Sequence, residues 1–448
     1  MRKFICSLAL TLALSCGATL ADVGNPEINV PCTEFDLPNG LHVILCEDHS
    51  LPMVETNVWY RVGSKNEQVG RTGFAHLFEH LMFEGSGHVK KGEFDKLLEF
   101  IGGSNNASTA NDYTNYYCTV PSCALELPLF LESDRMGYLL DSMSPNIVDS
   151  QRDVVKNEFR QRILNQPYGK VWIEIPRLLY PKDHPYNWPV IGSMEDLSAA
   201  SYEDVVNFFK TYYVPNNASL VIAGDIDPVE TKRLVEKWFS DVKPGKEVKK
   251  VEAPPVKVEG IVKKTITDNV VLPMRVQVWP IPALYQEGNA DMKMLRYVLT
   301  NSYGSPFIKR LKYDEQIAQD IFCYQEDNDL GSFFFIMYTP RPGHTLDEIE
   351  TIVNEEIEKL KNKVPTQKEV DRSFNTIEYG YLHRYEFSSN KADKLNDYYV
   401  HFGKPNSFSD DLARYRRVTP ESISACARKY LDLNNYVEIT VVPEKEDK

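Results

Sequence analysis

Two histidines and a glutamate occur together in the segment Gly73–Phe83, in the order His76-x-x-Glu79-His80. If this segment is helical, residues four apart lie one turn above each other, so both imidazoles point to one side. Two imidazoles in this arrangement can bind zinc, and the carboxylate beside them can then act as a base on the attacking water. The order inverts the commoner zinc motif H-E-x-x-H. A buried helix with two ordinary histidines is the alternative, so the motif needs a third ligand and a pocket.

The neighbouring segments predict a mixed fold that holds this helix against a core. Turn signals and the apolar period separate short segments of both structural types. Strands are expected at 32–47 (a hairpin around Asn39-Gly40), 56–62, 106–120 and 220–224, and helices at 92–100, 124–140, 145–165, 201–212 and 227–239.

The chain has 448 residues, which is more than one hydrophobic core usually serves, so two or more domains are expected. Residues 242–265 are rich in Lys, Glu, Val and Pro and lack aromatic residues, which predicts a linker. The prediction is therefore an N-terminal zinc-binding domain at 22–241 and a C-terminal domain at 266–448.

The two portions share local patterns that indicate a duplication. Leu51–Met53 followed by Val58-Trp59 resembles Leu272–Met274 followed by Val278-Trp279. Self-similarity at a spacing of this size is the mark of a repeated unit. We therefore expect the α+β class: two similar domains, each with a mixed or antiparallel sheet and helices, which face each other across a chamber.

Residues 1–21 predict a signal peptide for secretion across the inner membrane, with the periplasm as the expected location. Arg2 and Lys3 precede a short apolar run that ends at Ala21. Lipoprotein cleavage at Cys16 is the alternative, although the leucine before it lies one position too early. Six cysteines remain, and Cys32 with Cys46, or Cys118 with Cys123, could pair; buried free thiols are the alternative.

The net charge of −14 argues against nucleic acid or an anionic membrane surface as a partner. The apolar fraction of 42% and the charged fraction of 25% are typical of a globular protein. No segment after the signal is long and apolar enough to span a bilayer.

Three motifs together resemble the inverzincin peptidases, the family of pitrilysin, insulin-degrading enzyme and the mitochondrial processing peptidase. They are His76-x-x-Glu79-His80, the run Gln151–Glu158, and the run Ser104–Thr109 followed by Thr114–Tyr117. The chain is most similar to short secreted bacterial members of the processing-peptidase type. This likeness extends over nearly all of residues 33–445, and the first half carries the most specific motifs.

The resemblance implies a catalytic role for the first half. His76, His80 and Glu158 would bind one Zn²⁺ per chain, and Glu79 would be the general base. Without the resemblance, Glu158 is an ordinary helix glutamate.

The resemblance also implies roles for residues around this centre. Asn106 and Ala107 would lie on the edge strand to which a peptide substrate adds as a further strand. Gln151 occupies the position where many members carry a glutamate that supports the ligands, and it adds no charge.

The second half departs from the family pattern. Single-chain members and some partner subunits carry an Arg there, and a Tyr six residues later, that hold the substrate carbonyl. In this chain Tyr313 and Gln319 take those places, unless the alignment is shifted and Arg310 serves instead. His344, His383 and His401 show no ligand spacing and are expected at the surface.

The expected function is a secreted zinc metalloendopeptidase that cleaves peptides or unfolded protein segments. The incomplete second half favours the zinc subunit of a heterodimer, with a related subunit that supplies Arg and Tyr; a homodimer or a monomer is the alternative. The rival from another class is a non-catalytic scaffold or assembly subunit.

Overall fold

The computed structural model describes residues 27–444. The predicted signal peptide at 1–21 lies outside the described residues. No described helix is both long and apolar enough to cross a membrane.

The described chain contains strands and helices in both halves. The strands are β1 (Thr33–Asp36), β2 (His42–Glu47), β3 (Met53–Tyr60), β4 (Ser104–Thr109), β5 (Thr114–Pro121), β6 (Ala218–Gly224), β7 (Ile261–Asp268), β8 (Met274–Ile281), β9 (Ala318–Glu326), β10 (Ser332–Pro340) and β11 (Tyr436–Pro443). The helices of the first half are α1 (Phe74–Leu81), α2 (Glu93–Phe100), α3 (Glu126–Ser142), α4 (Pro145–Phe159), α5 (Val171–Leu179), α6 (Met194–Ala199), α7 (Tyr202–Tyr212) and α8 (Pro228–Phe239). Those of the second half are α9 (Asn289–Thr300), α10 (Leu346–Asn362), α11 (Gln367–Arg384), α12 (Ser388–Phe402), α13 (Phe408–Arg416) and α14 (Pro420–Tyr430).

The strands form two sheets with the same internal order. The first sheet runs β1-β2-β6-β3-β5-β4, and the second runs β7-β11-β8-β10-β9. In each sheet one pair is parallel, β2 with β6 and β7 with β11, and the remaining pairs are antiparallel. Apart from the extra edge strand β1, the two sheets correspond strand for strand. The predicted α+β class with two similar domains is confirmed.

Two of the sequence-based boundaries differ from the structure. The segment predicted as one strand at 106–120 is a hairpin, because the chain turns between β4 and β5 at residues 110–113 and Ala110 N–H bonds to the Tyr113 carbonyl at 2.8 Å. The predicted linker ends too late, since its residues 261–265 belong to β7. That strand is charged and mostly exposed because it lies at the edge of the second sheet.

Each sheet packs its own helices on one face and receives a helix from the other half on its opposite face. On the second sheet, Val171 and Ile175 of α5 pack against strand residues that include Val276 and Ile439. This places the first half's α5 inside the second half's core. The domains are therefore linked by shared packing as well as by the chain between them.

The reverse contact involves α12 of the second half. Leu395 and Tyr398 of this helix are fully buried against Ile44 and Val221 of the first sheet. Since each half contributes a helix to the other's core, we expect neither half to be stable alone.

An ion-pair network also joins the two halves beside these helices. Lys65 of the first half lies 3.0 Å from Asp112 and 2.7 Å from Asp329 of the second half. His401 bridges Asp329 and Asp397 at 2.8 and 2.9 Å. Burial alone would lower the pKa of His401, but these two carboxylates raise it to about 10. The expectation that His401 is a surface residue is wrong, because its side chain is only 20% exposed and its partner Asp329 comes from a turn that is distant in the sequence.

All six cysteines in the described part of the chain are free thiols, so neither of the disulfide pairings considered above is present. Burial raises the pKa of the Cys46 thiol to about 11, which keeps it protonated and unreactive.

Leu395→Ala tests the shared packing. Truncating a fully buried leucine costs about 2–5 kcal/mol. We expect one unfolding transition that moves to lower temperature as a whole in scanning calorimetry. Leu382→Ala, at an exposed position on the neighbouring α11, is the control and should change little. A variant in which only the second half melts earlier would contradict the coupling of the two halves.

Candidate active site

Helix α1 carries the H-x-x-E-H motif and is anchored at its first turn by a buried carboxylate. Glu67 accepts the N–H groups of Gly73 at 2.9 Å and of Ala75 at 2.8 Å, donors that would otherwise lack partners. Burial raises the pKa of Glu67 to about 8, and these N–H groups oppose that shift. Gly73 has φ 89°, and a Cβ there would lie 2.7 Å from the Ile191 carbonyl oxygen. Glycine is therefore required where the helix begins.

The second ligand-bearing helix is α4, which packs directly against α1. Ser144 caps α4, and Pro145 occupies its first turn. Glu158 lies in the last turn of α4, and the chain continues as a single π-helical turn at Arg160–Leu164. Such turns are rare and occur frequently at functional sites.

The two helices bring the three predicted ligands to one point. Glu158 Oε2 lies 3.1 Å from His80 Nε2 and 3.7 Å from His76 Nε2. One ligand atom from each residue lies within 4.8 Å of the other two, and this is the one such group of His, Cys, Asp or Glu in the described chain. Ligands at about 2.0–2.2 Å from a tetrahedral zinc ion are roughly 3.4 Å from each other, so the observed spacing fits zinc.

The charge states of these residues also suit a cation. Burial lowers the pKa of His76 to about 4, so its imidazole is neutral and can donate a lone pair. The pKa of Glu158 is lowered, chiefly by its hydrogen bond with His80, so this carboxylate is ionised. Two imidazole nitrogens and one carboxylate oxygen form a donor set that zinc accepts, and three ligands leave one position open.

Glu79 points into the same site and is held by a residue from the first sheet. Thr109, at the end of β4, donates its hydroxyl to Glu79 Oε2 at 2.6 Å. Burial raises the pKa of Glu79, and the Thr109 hydrogen bond opposes that shift. Thr109 is the last residue of the sequence motif Ser104–Thr109. The residues around it gave no sign of a contact with a helix 30 positions earlier.

A cavity of about 510 Å³ opens beside His76 and Glu79. One wall is β4 with the turn after it, and a second is α5 with the loop that follows. The aromatic side chains of the lining include Trp172, Tyr180, Trp188 and Phe333. Glu326 and Phe333 come from the second half, so both domains contribute to this cavity.

The predicted substrate-binding residues lie on β4, which is the edge strand of the first sheet. Ala107 lines the cavity, and its N–H is met by the side-chain oxygen of Asn106 at 2.9 Å. Asn106 itself is exposed. Gln151 is buried on α4, two turns before Glu158, and in the described structure it makes no hydrogen bond to the three ligands. The roles of these residues stay predictions.

The three candidates from the second half do not reach this cavity. Tyr313 is exposed and contacts Tyr303, with ring centroids 5.3 Å apart, and Gln319 is exposed on β9. Arg310 forms an ion pair with Glu355 of α10 at 2.6 Å, and a second with the glutamate that follows it at 3.0 Å. Arg310 is therefore committed to its own domain.

A different arginine lines the cavity, and the sequence analysis did not single it out. Arg162, in the π-helical turn, lies 2.9 Å from Glu158 Oε1 and is itself largely exposed. It is the one Lys or Arg that lines this cavity in the described chain. Arg162 lies four residues after Glu158, and side chains at this spacing on a helix are neighbours. This spacing could have indicated the contact from the sequence.

Comparisons with known proteins identify both halves. Residues 42–164 match the family model described as Insulinase (Peptidase family M16), and residues 199–377 match the Peptidase M16 inactive domain. The chain is 29% identical over 372 residues to the zinc protease PqqE of Helicobacter pylori, which covers 81% of this chain and 82% of that protein. It is 23% identical over 408 residues to a probable mitochondrial-processing peptidase subunit beta of Arabidopsis thaliana. The match covers 88% of this chain and 75% of that protein.

A crystal structure of a protease from Helicobacter pylori has a similar fold. It superposes with a TM-score of 0.85 at 26% identity and covers 93% of this chain and 100% of that one. Duplicated α+β domains with an H-x-x-E-H helix in the first define a class of two-domain zinc peptidases. The chain belongs to peptidase family M16.

Thr109→Val tests whether the hydroxyl holds Glu79. A hydrogen bond to a charged group contributes about 1.5–3 kcal/mol, so we expect kcat to fall roughly tenfold or more while the metal content is unchanged. Thr109→Ser keeps the hydroxyl and is the matched control. Peptide hydrolysis and metal analysis on the same preparations give both quantities. Equal rates for the valine and serine variants would contradict a role for this hydroxyl in holding Glu79.

Proposed function

We propose that this chain is a zinc metalloendopeptidase that cleaves peptides or unfolded protein segments. The observation that supports this most directly is the convergence of His76, His80 and Glu158, with Glu79 beside them at an aromatic cavity. The relatives named zinc proteases support the same chemistry.

The roles of the residues follow from their positions. A zinc ion held by His76, His80 and Glu158 would lower the pKa of a coordinated water to about 7 and polarise a peptide carbonyl. Glu79, which is not a ligand, takes the proton of the attacking water and passes it to the leaving amine. Thr109 fixes the carboxylate of Glu79 in the orientation that both transfers need.

The open edge of β4 supports an extended peptide as the substrate. A strand added there would run past Ala107 and Thr109 and so past Glu79. A cavity of about 510 Å³ accepts a few side chains, which favours flexible chains over folded proteins.

Two single substitutions test this function. Glu79→Gln keeps the ligands, so about one zinc per chain should remain while the rate falls by roughly 10²-fold or more. His80→Ala removes a ligand and should lose most of the zinc. The measurements are elemental analysis and hydrolysis of an unstructured peptide.

The outcomes separate the peptidase from its rival. Full zinc retention by His80→Ala would overturn the metal assignment, and undiminished activity of Glu79→Gln would overturn the assignment of the base. A chain without zinc or activity under any condition would instead support a scaffold or assembly subunit.

We further propose that the mature chain, exported by way of residues 1–21, acts as the zinc subunit of a heterodimer. Support comes from the second half, where Tyr313, Gln319 and Arg310 all lie away from the cavity. Charge that develops on the substrate carbonyl needs donors, and losing one such donor typically costs about 2.7–4 kcal/mol.

The mass of the purified chain in solution, measured together with its turnover, tests the need for a partner. Weak turnover that rises when a related subunit with the Arg and Tyr is added would support the heterodimer. Robust turnover by a lone monomer or homodimer would contradict it, and Arg162 would then be the donor to mutate first.

A further inference from the structure

Glu326 is an acidic residue that the second half contributes to the active-site cavity. It is the last residue of β9 and lies opposite Phe333 of β10 in the sheet register. Both residues line the same cavity as His76 and Glu79. Glu326 is also the one carboxylate of the second half, among the described residues, that lines it.

Aromatic side chains lie near Glu326 in the cavity. On the face of the second sheet that carries Glu326, Phe335 contacts Tyr324 and Trp172, with ring centroids 5.7 and 5.5 Å apart. Trp172 lies on α5 and itself lines the cavity, as does Phe333. Aromatic rings and the Glu326 carboxylate therefore line one cavity together.

Within the described part of the chain Glu326 has no cationic partner, whereas the acidic residues around it have one. Beside the cavity, at the junction of the two halves, Asp112, Asp329 and Asp397 are paired with Lys65 or His401. The remaining neighbour, Asp327, is paired with Lys293 at 3.2 Å.

The Glu326 carboxylate makes no ion pair or hydrogen bond with any side chain in residues 27–444. Burial, with added repulsion from Asp327 and Asp112, raises the pKa of Glu326 to about 7. A partly buried carboxylate without a cationic partner is costlier to ionise than one in water, so a cation brought by a ligand would be stabilised there.

We propose that Glu326 is a specificity-determining residue that selects substrates with a lysine or arginine side chain beside the cleaved bond. This inference rests on the peptidase function proposed above. The apolar stem of either side chain packs on the aromatic walls, and its cationic end reaches the carboxylate. The cationic group of the substrate then pairs with Glu326, as a cation of the protein pairs with each neighbouring aspartate.

The test uses a set of unstructured peptides that differ at one position. Lysine, its uncharged isostere norleucine, or glutamate is placed in turn at each position that flanks the cleaved bond. For the unmodified chain we expect kcat/KM to favour lysine over norleucine by about tenfold at one of these positions, since the contact is charge-assisted. Norleucine keeps the stem, so the ratio isolates the charge.

Three variants assign that preference. Glu326→Gln should reduce the ratio to near one, and Glu326→Lys should favour the glutamate peptide. Glu315→Gln removes the same charge from an exposed residue of the second half that does not line the cavity, so it should keep the preference. Equal rates for lysine and norleucine peptides in the unmodified chain would overturn the proposal without any variant.

A binding measurement separates this proposal from the proposed function. Fluorescence anisotropy with the Glu79→Gln variant should show tighter binding of the lysine peptide, and adding Glu326→Gln should remove the difference. If no peptide is cleaved but this preference persists, the peptidase function fails and the cation subsite stands. If peptides are cleaved without any preference in rate or binding, the subsite fails and the peptidase function stands.

Discussion

The packing of α1 against α4 is the contact on which the rest of the site depends. Each helix carries part of the candidate ligand set, with two imidazoles on α1 and one carboxylate on α4. Their contact brings Glu158 to 3.1 Å from His80, at a spacing that suits a metal ion. The surrounding structure serves this contact: Glu67 holds the start of α1, and Thr109 at the end of β4 orients Glu79 between the helices. A ligand separation set by packed helices is more rigid than one set by loops, which is what a catalytic metal site needs.

The exchange of helices between the two halves gives the second domain a role at this site. The second half has no metal centre in its described residues, yet α5 packs in its core and lines the active-site cavity with Trp172. The end of β9 also lies at this cavity, so that Glu326 of the second half lines it together with His76 and Glu79 of the first. The second copy of the fold therefore contributes an aromatic side chain and a carboxylate to the cavity of the first.

Local patterns in the sequence were sufficient for the features that depend on near neighbours. The helix α1 and its two imidazoles follow from a four-residue spacing, and the duplication follows from repeated short patterns. Where a feature depends on the position of a strand within its sheet, the local sequence pattern gave a wrong prediction. Strand β7 resembled a linker because edge strands are charged. The segment from β4 to β5 resembled one strand because both of its arms favour extended structure.

The sequence by itself determined the candidate reactive groups, the order of the elements and, through family likeness, the prediction of Glu158 as the third ligand. Only the tertiary structure decided which distant residues meet. Thr109 reaches Glu79, Lys65 and His401 meet at Asp329, Arg310 pairs with α10, and Glu326 has no side-chain partner among residues 27–444. The reason is physical. A residue's type and spacing set what it can do within one element, whereas its partners are set by how elements pack, and that depends on the burial of the whole core.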